Sequence, residues 1–209
     1  RLNGVTRPDA RDRTARATAR IDDTDRIEDR FQWRDEIEAR RVTGIGMKKK
    51  APHVGETPAT RLLRSRGVAY TEHVYDYVEH GGTAESARQL GVPEHEVIKT
   101  LVMQTDRGEP FIVLMHGDRT VATRELARRL GVKSVEPCAP ADAERHTGYR
   151  VGGTSPFGTR KSLRVCVEDS VLVLPRICIN GGRRGYLVGI EPQVLVELLG
   201  AEAVRCASA

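Results

Sequence analysis

The run Val97-Ile-Lys-Thr-Leu-Val-Met103 constrains this chain more than any other stretch. Its β-branched and apolar residues read as a buried strand. A second apolar run, Phe111–Met115, follows after Asp106-Arg107-Gly108, and that spacing with a turn glycine predicts a β-hairpin. One residue does not suit a buried strand. Side chains alternate faces, so Lys99 shares its face with Val97, Leu101 and Met103. A lysine there costs free energy unless its ammonium reaches a cavity, a partner or a substrate. Lysine is also sparse, six of 34 basic residues, three of them in Lys48-Lys49-Lys50. Lys99 is therefore a candidate functional residue by desolvation; the alternative is an edge-strand lysine that snorkels to solvent.

Around this hairpin the chain alternates helix and strand signals. Thr57-Pro58 predicts an N-cap with proline at the first helical position, and the helix runs to Arg66 before Gly67. Val68–Tyr75 reads as a strand. Thr83 and Thr123 are expected to cap helices ending at Leu90-Gly91 and Leu130-Gly131. Pro140 starts a short helix toward His146, and Pro192 opens a last one through Leu199-Gly200. Val165–Val167, Val171–Leu174, Ile177–Ile179 and Tyr186–Ile190 read as short strands. Without an even βαβ rhythm, the expected fold class is α+β, a curved mixed sheet with helices outside it.

Composition excludes several classes of function. No apolar run approaches the roughly 18 residues of a membrane span, and no secretory h-region is visible, so a cytoplasmic protein without membrane contact is expected. Cys138, Cys166, Cys178 and Cys206 are too widely spaced for a zinc ribbon or CxxC pair and are read as reduced, mostly buried thiols. The six histidines form no HExxH pair, so neither metal nor other cofactor is expected. A net charge of +5 fits a polyanionic partner without requiring one.

Residues 1–46 differ from the remainder, with eleven arginines, ten acids, no lysine and few apolar residues. They are expected to be disordered, or to be upstream sequence read from a misplaced start, since Met47 is the first methionine. Residues 47–56 read as a basic lead-in, and 57–209 as one folded domain.

Two glycine-rich tracts remain, Gly148-Tyr-Arg-Val-Gly-Gly-Thr-Ser-Pro-Phe-Gly158 and Asn180-Gly-Gly-Arg-Arg-Gly185. Neither has the spacing of a nucleotide-phosphate loop. The second could be a hairpin turn, whereas the first is longer than a turn needs and reads as a binding loop. No GxSxG elbow and no histidine–cysteine pairing supplies a nucleophile, so catalysis would rest on positioning and backbone dipoles.

Ile98-Lys-Thr-Leu101, Thr147-Gly-Tyr-Arg-Val-Gly-Gly-Thr-Ser-Pro156 and Ile179-Asn-Gly-Gly-Arg-Arg-Gly185, in this order and spacing, resemble the YbaK/EbsC family of trans-editing aminoacyl-tRNA deacylases. That family is related to the editing domain inserted in bacterial prolyl-tRNA synthetase. The resemblance covers about Thr57 to Cys206. It implies a barrel-like mixed sheet and removal of a wrong amino acid from tRNA(Pro), chiefly cysteine, whose own thiol attacks the ester and leaves as a thiolactone. Aminoacyl-tRNA(Pro) would be the substrate and prolyl-tRNA synthetase a partner. Lys99 matches the family's essential lysine and Thr100 its pocket neighbour, while Tyr75 matches a pocket tyrosine. Gly152, Gly153, Ser155 and Pro156 match the loop facing the aminoacyl ester, and Asn180 with Gly181 borders the pocket. Asn180 stands where relatives carry serine, and Gly82 lies near a family phenylalanine, so alanine, serine or threonine is an alternative substrate side chain. A non-catalytic module that binds tRNA or a synthetase, and a small-molecule hydrolase, are the other readings.

Overall fold

The computed structural model describes residues 55–208. The expectations for residues 1–46, and for the lead-in as far as 54, lie outside the described residues. In chain order the elements are α1 (Pro58–Ser65), β1 (Thr71–Val74), α2 (Gly82–Leu90), β2 (Val97–Thr105), β3 (Pro110–His116), α3 (Thr123–Leu130), β4 (Val135–Pro137), α4 (Pro140–Thr147), β5 (Arg164–Glu168), β6 (Ile177–Arg183), β7 (Tyr186–Ile190), α5 (Gln193–Leu199) and β8 (Glu202–Val204). Short 3₁₀ turns occupy Glu94–Glu96 and Asp169–Val173.

The strands form one mixed sheet ordered β1-β7-β6-β2-β3-β5-β8, with β4 paired to β2. The sheet has two separate edges, β1 and β8, so the barrel-like closure implied by the resemblance gives way to an open sheet. The predicted hairpin is present: β2 and β3 pair antiparallel with Lys99 opposite Met115, and Gly108 takes φ 75° in the turn. Both faces of β3 are covered, which explains why it reads as a continuous apolar run. Ile112 and Leu114 pack in one cluster with Ala59 and Leu63 of α1 and Leu195 of α5. Their neighbours Phe111, Val113 and Met115 pack in another with Leu126 and Ala127 of α3.

Four expectations need correction. Thr83 does not cap α2: the helix starts at Gly82, and the Thr83 hydroxyl instead donates to Glu94 Oε1 at 2.8 Å. Thr123 is the first residue of α3 and Ala122 its cap. Val171–Leu174 forms most of a 3₁₀ turn rather than a strand, Leu174 being that turn's extended cap. The strand expected over Val68–Tyr75 shrinks to Thr71–Val74. Thr57, by contrast, caps α1 as predicted, accepting from Thr60 N at 3.1 Å. Its hydroxyl also reaches Gly181 O at 2.5 Å, which pins α1 to β6.

One feature of the sheet creates the site. β2 pairs with β6 only at Val97 and Ile98 and with β4 only from Met103 to Thr105. Along Lys99–Val102 no described strand pairs with that second edge, Val102 O accepting only from Cys138 N of a loop at 2.9 Å among the described residues, and the sheet opens there.

Candidate active site

A cleft of about 730 Å³ occupies this opening, a volume within the usual range of about 300–1,000 Å³ for small-molecule sites. Val97–Val102 of β2 line it, together with Gly82, Thr83, Glu85 and Ser86 of α2. The segment Tyr75–His80 lines it from one side, and Pro137, Cys138, Pro140 and Ala143 from the other. Val151, Gly152 and Thr154 of the first glycine tract complete it with Asn180 and Arg184 of the second.

Lys99 lies where its strand face predicted, between two apolar groups. Val97 packs with Ala87 and Leu187, whereas Leu101 and Met103 pack with the α3 cluster. The lysine stem lines the cleft, and its ammonium donates to the carbonyl of Arg119 in the turn after β3. Desolvation pushes its pKa below that of a free lysine, and the Glu94 and Asp118 carboxylates partly oppose that shift. Beside it, the Thr100 hydroxyl is buried with no hydrogen-bond partner among the described residues, which leaves a donor and an acceptor for a ligand.

The predicted residues divide into two groups. Lys99, Thr100, Tyr75, Gly152 and Asn180 all line the cleft, as does Gly82. Gly153, Ser155, Pro156 and Gly181 do not; they are buried and shape the loops from behind. A Cβ on Gly153 would stand 2.8 Å from Arg184 N, so this glycine permits the two tracts to touch. Ser155 accepts from Phe157 N at 3.3 Å, which makes it a turn residue. A Cβ on Gly181 would stand 2.4 Å from the Tyr186 ring.

Several lining residues escaped the sequence reading. Tyr77 and Val78 are exposed at the mouth, and the Arg184 guanidinium lies 4.9 Å from the Tyr77 ring while donating to Val151 O at 2.9 Å. Arg184 carried a sequence signal, the Arg183-Arg184 pair; Tyr77, in an irregular segment, carried none. Gln89 holds that segment, accepting from Asp76 N and donating to Asp76 O, both at 2.9 Å.

Nucleophile activation is missing among the described lining residues. Ser86 donates to Thr83 O at 2.9 Å, Thr83 is engaged with Glu94, and burial pushes the Cys138 thiol up. None of these is hydrogen-bonded to a histidine. No group of three potential metal ligands occurs among the described residues. None of the described helices is long and apolar enough to cross a membrane.

The aminoacyl-tRNA editing domain family matches residues 79–198. A candidate Cys-tRNA(Pro)/Cys-tRNA(Cys) deacylase, EbsC of Enterococcus faecalis, is 30% identical over 152 residues, covering 72% of this chain and 92% of EbsC. The proline–tRNA ligase of Streptococcus equi subsp. equi is 30% identical over 109 residues, and there the chain spans only 18% of the ligase. Among solved structures, a candidate trans-editing enzyme for prolyl tRNA synthetase superposes with a TM-score of 0.64 at 22% identity, covering 75% of this chain and all of the other. The hypothetical protein APE2540 superposes at 0.67 with 25% identity, over 73% of this chain and all of the other. The protein belongs to the aminoacyl-tRNA editing domain family.

Proposed function

We propose that this chain is a trans-editing aminoacyl-tRNA deacylase that clears mischarged tRNA(Pro), with Cys-tRNA(Pro) as its principal substrate. The observation that carries this reading is the gap beside Lys99–Val102. It brings to the same cleft one desolvated lysine, one glycine loop and one hydroxyl that has no partner among the described residues. The similarity to EbsC supports the substrate.

In this reading the aminoacyl ester lies along the unpaired stretch of β2. The thiol of the mischarged cysteine attacks its own ester carbonyl, so a C–S bond forms and the C–O bond to the ribose breaks. The thiol proton ends on the departing 3′-oxygen, and the amino acid leaves as a thiolactone. Lys99 stabilises the negative charge that develops on these oxygens, and the Thr100 hydroxyl and the Gly152 loop orient the ester. Because the nucleophile belongs to the substrate, the protein needs none.

Charge on the rim supports a polyanionic substrate. Residues 148–164 and 176–190 contain no acid, and Arg150, Arg160, Lys161, Arg183 and Arg184 in them are exposed. The two loops meet through Asn180–Gly152 and Arg184–Val151 at the cleft, where Arg184 would hold a phosphate of the tRNA end. Prolyl-tRNA synthetase is the partner that would supply tRNA identity, in the cytoplasm where charging occurs.

One observation favours a second substrate. A Cβ on Gly82 would meet nothing within 4 Å, so the cleft has room at that point for side chains other than cysteine. Deacylation of tRNA(Pro) charged separately with cysteine, alanine and proline, with product analysis, tests both. Loss of Cys-tRNA(Pro) with thiolactone release is the expected result. Loss of only Ala-tRNA(Pro), with free alanine released, would move the specificity. Hydrolysis of none of the three would overturn the reading.

A further inference from the structure

The Lys99 ammonium is held by a turn, and that turn is braced by two stacked histidines outside the cleft. An ammonium has three donor hydrogens, and the acceptor given to this one among the described residues is the carbonyl of Arg119. Where the ammonium stands therefore depends on where the turn Gly117–Thr120 stands. Asp118 of this turn binds His95 Nδ1, at 2.9 and 3.1 Å from its two oxygens. The His95 ring stacks on His116 with centroids 3.7 Å apart and planes at 12°. His116 is buried, donates from Nδ1 to His95 O at 2.7 Å and pairs at Nε2 with the Ser170 hydroxyl at 2.9 Å. A carbonyl only accepts, so Nδ1 carries a hydrogen.

The brace continues to the end of the described chain. Ser170 donates to Glu168 Oε1 at 3.4 Å, and buried Glu168 Oε2 accepts from Cys206 N and Ala207 N, both at 2.7 Å. Ser208 N then donates to Thr120 O at 2.8 Å, back on the same turn. From the opposite side Gly117 is packed so closely that a Cβ would lie 2.5 Å from Glu94 O. The turn is thus closed in a ring of contacts. His116 lines no part of the cleft, so any effect it has on the reaction is indirect.

We propose that His116 is a positioning residue for Lys99, its stack on His95 setting the place of the ammonium in the cleft. This rests on the reading of Lys99 given above. The groups facing His116 are His95, Asp118, Ser170 and Glu168. A second proton on the imidazole would set a cation against the stacked His95 ring.

The experiment compares the full chain with His116→Leu, which removes both hydrogen bonds, and His116→Asn, which keeps a donor toward His95 O. Two readings are taken. The first is kcat and KM on Cys-tRNA(Pro). The second is acetylation of Lys99 by acetic anhydride relative to Lys133 and Lys161, followed by mass spectrometry. The Leu variant is expected to lose about tenfold in kcat with KM within about twofold, and its Lys99 labelling ratio to change about threefold; Asn should recover most of both. A folded Leu variant with unchanged labelling and kcat would overturn the proposal. Should that variant fail to fold, Ser170→Ala removes one contact of the brace, and unchanged labelling and kcat there would overturn it equally. Lys99→Ala is run in parallel. If it keeps full activity, the reading of the site fails; if it is inactive while the brace variants are unaffected, only the positioning role fails.

Discussion

Asn180 ties the two glycine tracts together: its amide donates to the carbonyl of Gly152 at 3.3 Å while its own oxygen accepts from Gly182 N at 2.8 Å. One side chain thereby fixes the loop that faces the ester and the bulged end of β6. Asn180→Ala should lower kcat/KM about tenfold, and melting temperature by about 2–4 °C, since about one kcal/mol of hydrogen bonding is lost. Asn180→Asp, which keeps the acceptor for Gly182 and loses the donor, should fall between. Steady-state deacylation and thermal melts of the same preparations check the order.

Two glycines that read alike in sequence should fail differently. Gly152 has φ 85° and lines the cleft, where a Cβ would meet Tyr77 Oη at 3.1 Å and Arg184 Nε at 3.4 Å. Gly152→Ala should cost about 1–2 kcal/mol of stability from the left-handed backbone, and more than tenfold in activity because the loop must shift. Gly181 does not line the cleft, and its Cβ would lie 2.4 Å from buried Tyr186. Gly181→Ala should cost about 1–3 kcal/mol by overpacking. The folded fraction should retain near-normal kcat. Equal losses of kcat in both variants would contradict this division.

Much of this arrangement was legible in sequence because local chemistry and tertiary structure agree. The Thr57 cap, the hairpin through Gly108 and the face of Lys99 each follow from side-chain chemistry and strand alternation. What was not legible depends on distant partners. Thr83 would cap a helix in isolation, but the turn at Gly117 and the Glu94 carboxylate compete for its hydroxyl. The Val171–Leu174 run is apolar like a strand, yet no partner strand among the described residues reaches it. Gly152 and Gly153 are adjacent, and only the approach of Arg184 shows that one faces the ligand and the other the loop behind it. The gap in the pairing of β2, on which the cleft depends, has no signature within β2 itself.

Lys99 should be a stability liability that function retains. Burial lowers its pKa from 10.5, so the folded state binds its proton less tightly than the unfolded state does. Below the folded pKa both states are charged and the cost of the buried ammonium is fully present. It is relieved as pH rises through the folded pKa toward 10.5. Lys99→Met, which keeps the stem, should melt no lower than the wild type at pH 7 while losing activity. The wild type should gain on it as the pH is raised in that alkaline window. Chemical denaturation at pH 7 and pH 10 measures the difference. A large loss of stability in the methionine variant at pH 7 would show that the ammonium is a structural ion.

Acid should loosen the histidine brace. Burial lowers the pKa of His116 from 6.5, so the unfolded chain takes up the proton first as pH falls. Stability from this group is then full above about pH 6.5 and is lost on acidification until the folded pKa is reached. His116→Asn should flatten the slope of unfolding free energy between about pH 6.5 and 5, whatever its effect at neutral pH. An identical slope in both proteins would mean that His116 does not titrate differently on folding.

The most direct test of the account is a single-turnover reaction of Cys-tRNA(Pro) with the full chain and with Lys99→Ala. The wild type should release cysteine from the tRNA, and the variant should be slower by about a hundredfold or more, the loss expected when an electrostatic group facing the reacting oxygens is removed. A variant as fast as the wild type would contradict the assignment of the cleft and of Lys99 within it.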